Sequence, residues 1–159
     1  PGACVALGNV VEQGGRGLGF HRHGDGAGLD GSGIGGGGVA DGHVAGDHIL
    51  QRVSKILQRC QKVGAQVGRF GGEEFIVILH DTSIEGAKIV AARMQSAVYD
   101  LNIEHNQNMD YGRVTISMGI SCCIPSNNHS PLEVIEEADQ SLYIAKTTGK
   151  NKFIYQFTE

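Results

Sequence analysis

Gly71-Gly72-Glu73-Glu74-Phe75 is the stretch whose reading decides the rest of the chain. It separates an alternating segment, Ala65-Gln66-Val67-Gly68-Arg69-Phe70, from an unbroken apolar run, Phe75-Ile76-Val77-Ile78-Leu79. Strand, two glycines, strand spells a tight β-hairpin, because glycine accepts the positive φ of primed turns without a Cβ clash. The hairpin does not explain the acidic pair. Two carboxylates at a turn repel each other unless something positive stands beside them, and a divalent cation is the common solution. The plainer reading is a solvated hairpin tip.

Outward from the hairpin the text is that of a folded protein. Upstream, Ile49, Leu50, Val53, Ile56, Leu57 and Cys60 fall on one face of a helix, with Asp47 expected at its start as an N-cap. Downstream, Thr82-Ser83-Ile84-Glu85 reads as a capping box opening a helix with an apolar face of Ala87, Val90, Ala91, Met94, Val98 and Leu101. Residues 102–110 are polar and read as a loop. Val114, Ile116, Met118 and Ile120 alternate with Thr115, Ser117, Gly119 and Ser121, which predicts a strand with one buried face. Ser130-Pro131-Leu132-Glu133 is a second capping box with proline at the first helical position. Its helix carries Leu132, Ile135, Ala138 and Leu142 and stops near Gly149, before a closing strand at Phe153-Ile154-Tyr155. Residues 46–157 therefore predict the order α-β-β-α-β-α-β, an α/β (α+β) sandwich with helices on a largely antiparallel sheet.

The first forty-one residues differ in kind. Of 25 glycines in the 159-residue chain, 17 lie within residues 1–46, and no lysine precedes Lys55. Cys4-Val5-Ala6-Leu7 and Val10-Val11 could form a short strand, but glycine raises the cost of ordering such a segment. Gly26-Ala27-Gly28-Leu29-Asp30-Gly31 matches GxGxxG formally, without the strand and helix that a dinucleotide site needs. His21 and His23 lack further ligands at metal-site spacing and read as loop histidines. A net charge of −4 and the absence of a basic stripe argue against a nucleic-acid surface. No apolar run reaches membrane-spanning length, and no signal peptide is legible. Cys4, Cys60, Cys122 and Cys123 show no CxxC spacing and read as reduced thiols of a cytosolic protein.

The acidic turn resembles the signature of the GGDEF family, the diguanylate cyclases that join two GTP molecules into cyclic di-GMP. Further landmarks follow in order: Gly42-His43-Val44-Ala45-Gly46-Asp47, Ala138-Asp139, Tyr143-Ile144-Ala145-Lys146 and Gly149-Lys150-Asn151. The similarity covers about residues 42–155, so the chain divides into a non-matching segment, 1–41, and a GGDEF-like domain, 42–159. The resemblance implies a nucleotidyl-cyclase fold like the polymerase palm, whose first strand, central in the sheet, is not legible here. Without that strand the apolar faces would be poorly covered, and aggregation is expected.

The resemblance also implies roles. Glu73 would hold Mg²⁺ (or Mn²⁺) and take the hydroxyl proton, with Glu74 beside it in the catalytic turn. Gly71 and Gly72 would let the nucleotide approach the backbone. Asp47 would accept hydrogen bonds from guanine, which suits GTP better than ATP, and His43 would lie beside it on the same loop. Lys146 and Lys150 would bind phosphate, unless they merely complement a helix C-terminus. Arg69 would face phosphate or a partner. The family works as a cytoplasmic homodimer, one GTP per subunit, usually behind a sensor or receiver module that these residues do not contain.

Two departures stand out. Lys62 and Ala65 replace the family's inhibitory Arg-x-x-Asp, which removes product inhibition by that route. The Asp-x-Asp-x-Phe-Lys-x-x-Asn segment, source of the second metal carboxylate, is missing; counting back from Asp47 gives only Asp30, with Gly35 and Gly38 at the lysine and asparagine positions. A shifted reading frame over residues 1–41 would explain the break. The alternative function is a catalytically silent GGDEF-like module that binds nucleotide or protein.

Overall fold

A computed structural model describes residues 2–11, 39–105, 108, 110–125 and 130–158. The elements run β1 (Ala3–Val11), α1 (Val39–Cys60), β2 (Gln66–Gly71), β3 (Glu74–Leu79), α2 (Ile84–Asp100), β4 (Thr115–Cys123), α3 (Pro131–Thr147) and β5 (Phe153–Thr158). Five strands form one mixed sheet in the order β2-β3-β1-β4-β5. All neighbouring pairs are antiparallel except β4 with β5. From α1 onward the element order is the one expected from sequence.

The first strand, not legible in the sequence as the central strand of the sheet, is present over the residues that could form a short strand, and the expectation of uncovered apolar faces is corrected. Strand β1 lies in the middle of the sheet and is paired along both edges, Ala6 with Val77 on one side and with Ile120 on the other. It covers the apolar faces whose exposure was expected to cause aggregation. Cys4, Ala6 and Val10 enter the main core with α1, α2 and β3, while Leu7 packs on Ala138 and Leu142 of α3. A strand buried on both faces loses the alternation that identifies half-buried strands, and the glycines around it hide the rest. His21, His23, the GxGxxG match and Asp30 lie outside the described residues.

Helices α1 and α2 cover one face of the sheet. Leu50, Val53, Leu57 and Cys60 of α1 and Ala87, Val90, Ala91, Met94 and Val98 of α2 are buried there, as their spacing predicts. Helix α3 covers the other face, so β4 is buried along its whole length and not on one side only. The register of β4 puts Ser117, Gly119 and Ser121 under α3, and Ser121 Oγ donates to Glu137 Oε2 at 2.6 Å. Ser130 caps α3 with the expected box, its amide donating to Glu133 Oε2 at 3.0 Å. The cap of α2 is shifted by one residue: Ser83, not Thr82, accepts from Gly86 N. Thr82 donates its amide to Gly2 O at 2.9 Å instead, pinning the start of the central strand.

The cysteine expectation is also corrected. Cys4 and Cys122 face each other in register across β1 and β4 and are joined by a disulfide, whereas Cys60 and Cys123 are buried free thiols. When the bond is reduced, the Cys4 thiol has the Thr82 carbonyl oxygen as an acceptor 3.2 Å away.

Helix α3 rests on β4 at Gly119, where a Cβ would run into the Ala138 carbonyl and the Leu142 backbone. Backbone cannot move aside as a side-chain tip can. Gly119→Ala should therefore destabilise the domain by about 1–3 kcal/mol or more, read as a lower urea midpoint at unchanged m-value.

Candidate active site

The hairpin forms as expected, with the turn one residue later than the two glycines suggested. Gly72 and Glu73 are the turn residues, and Gly72 alone of the pair of glycines has a positive φ, 44°. A bulge between Arg69 and Gly71 shifts the register just before the turn. A Cβ at Gly71 or Gly72 would meet nothing within 4 Å, so the space over the turn is open.

Four contacts build the surroundings of the turn. Arg69 Nε donates to Gly72 O at 2.8 Å, and its guanidinium stands 4.0 Å from Asp47 Oδ1. Both partners of that pair are exposed, so it orients more than it stabilises. Val10 N donates to Glu73 O at 3.0 Å, and Asn9 Nδ2 donates to Glu73 Oε1 at 3.3 Å. The central strand thus clamps the turn through backbone and side chain together. Glu74, in register with Asn9, faces α3, where Asp139 and Lys146 add opposing fields.

The placement of Asp47 is a correction. Helix α1 begins at Val39, so Asp47 lies within the helix and neither caps it nor shares a loop with His43, whose backbone belongs to the same helix. The side chain of His43 lies outside the described residues. Asp47 is exposed at the side of the helix that meets Arg69.

Lys146 occupies the last turn of α3, as its reading at a helix C-terminus requires. Lys150 does not continue the helix. It follows Gly149 in a left-handed turn with φ 55°, its amide donating to Ala145 O at 3.0 Å. Asn151 N then donates to Ser117 Oγ at 3.1 Å and Lys152 O accepts from Met118 N at 2.9 Å. These bonds hold the lysine turn at the end of β4 that pairs with Asn9, Val10 and Val11. Among the described residues Lys150 makes no side-chain hydrogen bond or ion pair with the carboxylates.

Lys62 is committed elsewhere. Its ammonium donates to His80 O at 3.1 Å, Asp81 O at 2.9 Å and Thr82 Oγ1 at 2.9 Å, which uses its three protons. It ties the end of α1 to the β3–α2 turn. Asn9 is the residue that sequence reasoning missed: 64 positions before Glu73, it is found only once the register of β1 is known.

An acidic hairpin tip stands at one end of a mixed sheet, with a helical aspartate on one flank and a lysine-bearing turn on the other, and the whole has a palm-like fold. Comparison with known proteins makes this specific. The family "Diguanylate cyclase, GGDEF domain" matches residues 40–152, and the chain belongs to that family. It is 38% identical over 104 residues to diguanylate cyclase A of Treponema denticola, covering 65% of this chain and 27% of that protein. The chain thus spans about a quarter of the length of that relative. The GGDEF domain of DgcB from Caulobacter crescentus, solved in complex with c-di-GMP, superposes with a TM-score of 0.69 at 21% identity, covering 97% of this chain and 77% of that one. The active GGEEF domain of a diguanylate cyclase from Vibrio cholerae gives 0.63 at 20% identity, covering 99% and 85%. Both likenesses are of fold.

Burial under α3 holds the Glu74 carboxyl above the usual carboxylate range, against the opposing pull of Lys146 and of a hydrogen bond from the Asn9 amide, which thus serves both carboxylates; Asp139 and Glu73 push the same way as burial. The folded state then binds this proton more tightly than the unfolded one. Its contribution to stability is full below the ordinary carboxylate range and is lost as pH rises through the raised folded value. Glu74→Gln should remove this dependence. From about pH 4 to about pH 7 the variant's melting temperature should fall less than the wild type's, and at neutral pH it should equal or exceed it.

Proposed function

We propose that this domain condenses two GTP molecules into cyclic di-GMP with release of pyrophosphate, working in the cytoplasm where its substrate is found. The observation that carries the reading is the cluster at the turn: Asp47, Arg69 and Gly72 on one flank, Glu73 with Asn9 in the middle, Glu74 with Lys146 on the other. The exposed Asp47 carboxylate can accept two N–H donors of a guanine edge. Open space over Gly71 and Gly72 leaves room for a nucleotide against the backbone. Lys146 and Lys150 supply point charges for the triphosphate.

Glu73 stands where a carboxylate can accept the proton of an attacking 3′-hydroxyl. Family relatives use a divalent metal, and the donor chemistry fits one: Glu73, Glu74 and the Asn9 amide oxygen are all hard oxygen ligands. When bound, Mg²⁺ or Mn²⁺ would neutralise phosphate charge. Among the described residues no group of three His, Cys, Asp or Glu side chains is poised for a metal; Asn9, hydrogen-bonded to Glu73, is a further oxygen donor at the turn.

One acidic turn per chain and two triphosphates per product call for two domains face to face, hence a homodimer. Lys62, already spent on the β3–α2 turn, leaves no cation for product inhibition at that position. No described helix is long and apolar enough to cross a membrane. In a reducing cytoplasm the Cys4–Cys122 pair would stand as thiols. A sensor or receiver module in the same protein would supply the regulating signal.

Purified protein incubated with GTP and MgCl₂ or MnCl₂ should yield cyclic di-GMP, measured by chromatography. Glu73→Gln should lower turnover by about a hundredfold or more. Asp47→Ala should raise the KM for GTP by about 10–100-fold, the loss of a charged hydrogen-bond acceptor. GTP binding without any product from the wild type would transfer the assignment to a silent nucleotide-binding module.

A further inference from the structure

The side chain that meets Glu73 from the central strand carries no charge. Asn9 is buried, 4% exposed, and stands in register with Glu74 of β3 and Ser117 of β4. Its Nδ2 lies 3.3 Å from Glu73 Oε1. An amide holds a donor and an acceptor on one carbon, so half a turn of the group exchanges them. With the donor toward Glu73 it satisfies the carboxylate in the absence of any cation. With the oxygen forward it becomes a neutral oxygen ligand.

Divalent affinity of oxygen sites rises with the number of charged ligands. Glu73 and Asn9 together offer one negative charge where an aspartate at position 9 would offer two. An aspartate has a cost as well. It would lose the donor to Glu73 and add a third carboxylate to Glu73 and Glu74, which repel unless a cation intervenes.

We propose that Asn9 sets the divalent-cation affinity of this domain, holding Glu73 in place without metal and keeping the cleft a weaker cation site than its shape permits. The inference rests on the reading of Glu73 as a cation ligand and makes no use of turnover. Its test is a titration of the purified chain with MnCl₂ in the absence of nucleotide, free Mn²⁺ being read by electron paramagnetic resonance. Asn9→Asp should bind Mn²⁺ about tenfold more tightly than the wild type or better, and Glu73→Gln added to Asn9→Asp should abolish that gain. Equal affinity in wild type and Asn9→Asp, or a gain that survives Glu73→Gln, overturns the proposal.

Should Asn9→Asp fail to fold alone, refolding with MnCl₂ decides. A cooperative thermal transition that depends on the cation supports the proposal, and an unfolded chain in both conditions overturns it. The outcome is separable from that of the cyclase reading. A wild type that makes cyclic di-GMP without an Asn9→Asp gain removes this inference alone. An Asn9→Asp gain in a protein that makes no product removes only the other.

Discussion

The pairing of β1 along both its edges is the constraint on which the rest of the structure depends. Its ladder to β3 fixes the height of the acidic turn, and its ladder to β4 fixes the height of the lysine-bearing turn. Because side chains alternate across a sheet, the same register decides which residues look toward α3 and which toward α1 and α2. A slip of one residue would exchange Asn9 for Gly8 or Val10 beside the carboxylates and turn Cys4, Ala6 and Val10 out of the main core. Backbone geometry and core packing thus select one register, and the site is a by-product of that selection.

Charge in the site is arranged around this frame. The turn holds Glu73 and Glu74 in adjacent positions, and their repulsion is met on different sides. Asn9 reaches Glu73 from β1, Lys146 acts on Glu74 from α3, and Arg69 engages the Gly72 carbonyl from the bulged end of β2. Neither carboxylate is left to the other alone. Arg69 also faces Asp47, so α1 and the turn share one cation. That sharing ties the position of α1 to the conformation of the hairpin.

Much of this was legible in the sequence, and the parts that were not have physical reasons. The helical faces of α1, α2 and α3 and the hairpin were written in period and turn chemistry. Strand β1 was not, since burial on both faces erases alternation and the text beyond it is dominated by glycine. Asp47 reads as a helix start because it stands just ahead of the apolar face that begins at Ile49, yet α1 runs back through Gly46 and Gly42 to Val39. A helix tolerates glycine at about 1 kcal/mol each when tertiary contacts offset the loss. The cysteines showed no motif because their partnership is made by register, across a sequence separation of 118. Asn9 carried no signal at all: a search for carboxylates passes over an amide.

One consequence follows from the order of the strands. Strand β2 lies at the rim of the sheet and pairs only with β3, and most of its residues are exposed. The outer half of the hairpin that bears the acidic turn is therefore hydrogen-bonded to the sheet along one edge only, with Val67 packed on the core and Arg69 facing Asp47 of α1 as its other ties. Small displacements of this flap would carry Arg69 and the Gly72 carbonyl with them while the inner strand keeps Glu73 and Glu74 against β1. The inner half of the hairpin is thereby built into the buried ladder on which stability depends, and its outer half is not.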